Sequence, residues 1–71
     1  MKTIDTRGNM PYSQLIPAIK AIDGASAGDK LEIIMTSEDA FNDLKEYLAE
    51  QHIGFREIYG SDVMTLQFTV C

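Results

Sequence analysis

Few side chains in this sequence could do chemistry, and they are scattered. His52 is the only histidine and Cys71 the only cysteine. A zinc site built on them would need carboxylates to complete it, and the nearest carboxylates occupy what reads as the polar face of a helix. Glu38, Asp39, Asp43, Glu46 and Glu50 include no Asp-x-Asp loop closed by a glutamate, so they read as a solvated surface rather than a cation site or an acid/base pair. His52 follows the same helix, where the negative end of the dipole favours it as a surface residue. Ser13 has no histidine or lysine beside it to act as a base, and a serine at a helix start is a cap. Met10, Met35 and Met64 read as core or turn residues rather than a cofactor box. No metal and no cofactor is expected. Cys71 remains as the single candidate nucleophile, and no adjacent base or helix terminus lowers its pKa.

The elements that must position these groups belong to one domain spanning residues 1–71. A chain of 71 residues buries only about 60% of the surface that its unfolded form exposes, so its core must be small. Hydrophobic residues at 45% and charged residues at 24% are values of a folded globule. Six basic against eleven acidic side chains leave a net charge of -5, which repels phosphate backbones and argues against direct nucleic-acid binding. The first seven residues lack the apolar core of a signal peptide, and no apolar run approaches the ~20 residues that cross a bilayer. With a single cysteine, these features describe a cytoplasmic protein without membrane contacts, expected to be a monomer.

Taken in order, Lys2 to Arg7 reads as a short edge strand carried by Ile4 and the β-branched Thr3 and Thr6. Gly8, Asn9 and Pro11 turn the chain into a first helix. Its stripe is Leu15, Ile16, Ala18, Ile19 and Ile22 at 3.6-residue spacing. Pro17 interrupts that stripe: the helix either starts near Ser13 or Gln14, with Pro17 in its first turn, or kinks. The loop 23–29 returns the chain beside its first strand, and the apolar run 31–36 is a central second strand. Thr36 or Ser37 caps a second helix that buries Phe41, Leu44 and Leu48, with Ala40 and Tyr47 beside them, and Gly54 is its expected stop. Residues 55–59 form a third strand, joined through Gly60-Ser61-Asp62 to a fourth in which Met64, Leu66, Phe68 and Val70 alternate with Thr65, Gln67 and Thr69.

The result is a two-layer α/β sandwich of order βαβαββ, a mixed four-stranded sheet with both helices on one face. Strands one to three run parallel and strand four runs against them. The expected core is Leu15, Ala18, Ile19, Ile22, Leu31, Ile33, Phe41, Leu44, Leu48, Leu66 and Phe68.

Ile4-Asp5-x-Arg7-Gly8 followed by a helix, in this order of elements, resembles the TusA/SirA family of small sulfur-carrier proteins over nearly the whole chain. Gly28-Asp29-Lys30-Leu31-Glu32-Ile33 is similar to the family's Pro-Gly-Glu-x-Leu-x-Ile ahead of strand two, and 36–40 to the acidic start of its second helix. The resemblance implies a βαβαββ sandwich, and sulfurtransferase chemistry on a Cys-Pro-x-Pro motif opening the first helix. Here that cysteine position is Pro11, counted without gaps from Gly8, or Met10 if one residue is deleted. Neither holds a persulfide.

The resemblance together with this departure implies a non-catalytic protein-binding or regulatory module, related to sulfur-transfer systems and bound to a protein partner. The alternative is a sulfur carrier for tRNA thiolation or sulfur trafficking, using Cys71 as a displaced thiol. The expected partner-binding residues are Arg7, Gly8, Asn9, Met10, Pro11, Tyr12 and Ser13. A turn that opens a helix exposes backbone donors, Arg7 adds a planar charge, and Met10 and Tyr12 add apolar contacts.

Overall fold

The computed structural model describes residues 1–7 and 13–70. Six elements follow one another: β1 (Lys2–Asp5), α1 (Leu15–Asp23), β2 (Lys30–Met35), α2 (Glu38–Glu50), β3 (Phe55–Tyr59) and β4 (Met64–Thr69). This is the βαβαββ order read from the sequence. In the sheet the strands lie β1-β2-β4-β3. β1 and β2 pair in parallel, while β4 is antiparallel to both β2 and β3. The first three strands therefore point one way and β4 runs against them, as expected.

Alternation assigns the two faces of the sheet. Leu31, Ile33 and Met35 on β2 and Leu66 and Phe68 on β4 are buried, whereas Glu32, Ile34, Thr65 and Gln67 between them are only partly covered. Both helices cover the buried face, α1 through Ala18 and Ile22, α2 through Ala40, Phe41, Leu44 and Leu48. Leu15 and Ile19, expected in the core, pack against it only partly buried, while Met35, Ala40 and Ile53 join it. Met35 has the inward parity of β2.

α2 ends earlier than the sequence implied, and on a different residue. The expected stop, Gly54, lies beyond it; His52 instead takes the left-handed conformation, with φ 59°. The His52 N–H donates to the Ala49 carbonyl at 3.1 Å and the Ile53 N–H to the Leu48 carbonyl at 2.9 Å. These two bonds define a Schellman motif, whose apolar contact is supplied by the buried Ile53 and Leu48. The β3–β4 connection is also tighter than expected. Gly60 donates to the Val63 carbonyl at 2.8 Å, which leaves Ser61 and Asp62 as a two-residue loop.

Candidate functional site

In an open sheet, ligands and partners collect beyond the carboxyl ends of parallel strands. β1 and β2 end beside the starts of α1 and α2, which makes that end of the sheet the candidate site. Thr6, the first residue past β1, is fully buried. Its N–H and its hydroxyl both donate to the Ile34 carbonyl, at 3.0 Å and 2.6 Å, so no polar group is stranded where the chain leaves the sheet.

Arg7 follows on the surface and closes on Asp5. Nε and the backbone N–H donate to Asp5 Oδ1, and Nη2 to Oδ2, each at 2.9 Å. This is a fork-to-fork pair with both side chains about half exposed. The guanidinium hydrogen bonds, followed by the backbone one, hold the Asp5 carboxyl down at about 2, and the carboxylate raises Arg7 in return. The pair holds the guanidinium in place just beyond β1, with part of its donor set already engaged.

α1 begins where Pro17 costs least, at the third position of the helix. Ser13, one residue before the N-cap position, supplies both acceptors of the first turn: its Oγ takes the Leu15 N–H at 3.1 Å, and its carbonyl takes the Ile16 N–H at 3.1 Å. Gln14 makes no cap for its own helix. Its carboxamide crosses to the β2–α2 loop, where Oε1 accepts from the Thr36 and Ser37 N–H groups at 2.9 Å and 3.0 Å, and Nε2 donates to Thr36 Oγ1 at 2.7 Å. Ser37 is then left to cap α2, its Oγ accepting from the Ala40 N–H at 3.3 Å. Of the two candidate caps, Thr36 is the one consumed by Gln14.

β3 reaches the same end of the sheet with Tyr59. The Tyr59 hydroxyl donates to Glu57 Oε1 at 2.5 Å, and Lys45 Nζ on α2 reaches the same oxygen at 3.0 Å. Lys45 also stands 5.0 Å above the Phe41 ring, which meets Tyr59 edge-on at 5.8 Å. The hydroxyl and then the ammonium lower the Glu57 carboxyl, and the same contacts raise Tyr59 and Lys45.

Of the residues expected to meet a partner, Arg7 and Ser13 lie at this end, separated by the five that fall outside the described residues, Gly8, Asn9, Met10, Pro11 and Tyr12. Cys71 also lies outside them. His52 sits at the opposite end, between α2 and β3. A depression of about 280 Å3 also lies there, between Lys2, Lys30 and the Gly24–Ala25 turn. Among the described residues no three His, Cys, Asp or Glu side chains come together as a metal site would require, and no helix is long and apolar enough to cross a membrane. Sequence reasoning missed Gln14, whose partners lie twenty-two and twenty-three residues away. It also missed the role of Asp5, which ends β1 and pairs with Arg7 two residues on.

A family model described as Sulfurtransferase TusA matches residues 2–70. Comparison with curated proteins and with solved structures gives no match.

Proposed function

Because the chain belongs to the TusA sulfurtransferase family, we propose that it is a TusA-like domain that recognises a protein partner of a sulfur-transfer system without itself carrying sulfur. The start of α1 is the observation that supports this reading. A thiolate or persulfide opening a helix is stabilised by the N–H groups of the first turn. Here the Leu15 and Ile16 N–H groups are held by Ser13 and the third position is Pro17, which has none. The chain has no cysteine before Cys71, and neither Pro11 nor Met10, the positions that match the family's cysteine, can hold a persulfide, so the family's chemistry lacks its nucleophile here.

The partner surface in this reading is the turn from Arg7 to Ser13. Replacing Arg7→Ala together with Tyr12→Ala is expected to abolish capture of a partner that the wild type binds, while stability shifts by less than ~1.5 kcal/mol. Unfolding of the double variant, or full retention of the partner, moves the surface elsewhere.

The central test is sulfur loading. After incubation with a cysteine desulfurase and cysteine, the intact mass is expected to show no added sulfur atom. An adduct that disappears in Cys71→Ser would overturn the reading in favour of a carrier with a displaced thiol.

A further inference from the structure

β1 and β3 are the two edges of the sheet, and of the two strands it is β3 that exposes large apolar side chains. Among the described residues no strand pairs with its outer side. Its register with β4 runs unbroken from Phe55↔Phe68 to Tyr59↔Met64, so no bulge bends it away. It contains no proline or glycine, and it exposes two large apolar side chains, Ile58 and Tyr59, the latter at 62%. Of the devices that blunt natural edges, β3 lacks a bulge and a proline, while it carries the charges Arg56 and Glu57.

The direction of the edge's backbone groups follows from the hairpin. Gly60 donates to Val63, so Gly60 and Val63 form a bonded pair, and bonded pairs recur at every second position of an antiparallel ladder. Ile58↔Thr65 and Arg56↔Gln67 are therefore bonded, which turns the N–H and C=O groups of Phe55, Glu57 and Tyr59 outward. The other side of β4 agrees: Val70 donates to the Asp29 carbonyl, which assigns Met64, Leu66 and Phe68 to β2 and leaves Thr65 and Gln67 for β3.

We propose that the free edge of β3 receives an extended, basic segment of a partner protein as a fifth strand, paired to the outward N–H and C=O groups of Phe55, Glu57 and Tyr59. This is recognition by strand addition. A second copy of the chain fits poorly. The antiparallel registers centred on Arg56 or Glu57 set each against its own like charge, and the register centred on Ile58 overlaps only Glu57, Ile58 and Tyr59. The net charge of -5 also repels a copy while attracting a cationic segment. Two carboxylates, Glu57 and Glu38, act on the Tyr59 phenol against one ammonium, that of Lys45, so the helix side of the edge keeps a negative excess. The open side offers Ile58, with Arg56 two residues before it on the same face. The matching segment thus alternates basic residues toward α2 with apolar residues beside Ile58. This surface lies on the edge opposite β1, and its test involves no sulfur, so it stands or falls apart from the reading above.

The probe is a short synthetic peptide alternating valine and lysine. On titration, amide hydrogen exchange at Phe55, Glu57 and Tyr59 is expected to slow by about tenfold or more, while Arg56 and Ile58, already bonded to β4, change little. Glu57→Pro removes the central outward N–H without touching the β4 ladder and should abolish that protection. Glu57→Thr keeps the N–H and should retain the protection with weaker affinity. The same peptide N-methylated on alternate residues cannot complete the ladder and should fail on the wild-type chain, whatever the fold of the proline variant. The proposal is overturned if no slowing occurs, if slowing is confined to the acidic outer face of α2 around Asp39, Asp43 and Glu46, or if the N-methylated peptide protects equally well.

Discussion

The two helix starts differ in how they are made. α2 begins with a serine in extended backbone (φ -86°, ψ 115°) whose hydroxyl caps Ala40, followed by Glu38 and Asp39 in the first turn. Its first turn is served from within a few residues, while the Thr36 and Ser37 N–H groups just ahead of it are held by Gln14. At α1 the N-cap position, Gln14, is already helical (φ -60°, ψ -20°), caps nothing, and precedes a first turn without acidic residues. Ser13 satisfies the first donors from one residue earlier, and Gln14 spans to the other helix. Local residues supply the first acceptors of both helices, and the one long-range contact, from Gln14, ties the start of α1 to the N–H groups ahead of α2. The end of the domain where a partner is proposed to bind is thus joined through one side chain.

If that is right, Gln14→Ala should be the most damaging polar change at this end. It removes three hydrogen bonds at once and leaves the Thr36 and Ser37 N–H groups without their acceptor. The expected cost is about 2 kcal/mol, a fall of roughly 10 °C in melting temperature for a domain of this size. Gln14→Glu keeps the acceptor and loses only the Nε2 donor, so it should cost about half as much. Equal losses for the two variants would mean that the backbone N–H groups are not what the side chain holds.

Smaller effects should separate the two starts further. Ser37→Ala removes a local cap, for about 1 kcal/mol. Pro17→Ala tests the position of the α1 start by its sign. Pro17 in the first turn displaces no helical bond, so alanine should be neutral or destabilise by less than ~1 kcal/mol, through the freer unfolded chain. Were Pro17 inside a longer helix running back to Pro11, the same change would stabilise by about 3 kcal/mol. Urea titration of both variants distinguishes the outcomes.

The same contrast explains what the sequence made legible. Met64, Leu66 and Phe68 alternate because one face of β4 is covered, and that pattern needs no knowledge of its neighbours. The hairpin, the placement of β2 and the Ser37 cap were equally local. Gly54 misled because glycine is the usual left-handed residue. The companion signal was an apolar residue able to pack back on the last turn, and Ile53 on Leu48 marks His52 instead. At the candidate site, Arg7 and Ser13 could be named from their types. Gln14 could not, since nothing near it in the chain indicates a bond to Thr36.

The smallest expected effect concerns pH, and it separates the strand that feeds α1 from the Gln14 bridge. Asp5 carries a folded-state pKa of about 2 against an ordinary 3.8, because Arg7 bonds its ionised form. A depressed carboxyl pKa contributes stability that is fully present above the unfolded value and lost as pH falls through the folded one. The stability difference between wild type and Asp5→Asn should therefore be small and constant from neutral pH down to 3.8, and should shrink between 3.8 and about 2. The bridge of Gln14 to Thr36 and Ser37 contains no group that titrates in that window, so the loss in Gln14→Ala should keep its size as acid is added. Chemical denaturation of the three proteins across this range measures both trends. A loss in Gln14→Ala that fades with Asp5 protonation would show that the bridge depends on the Asp5–Arg7 fork, and that the start of α1 is held by one coupled network rather than by two separate contacts.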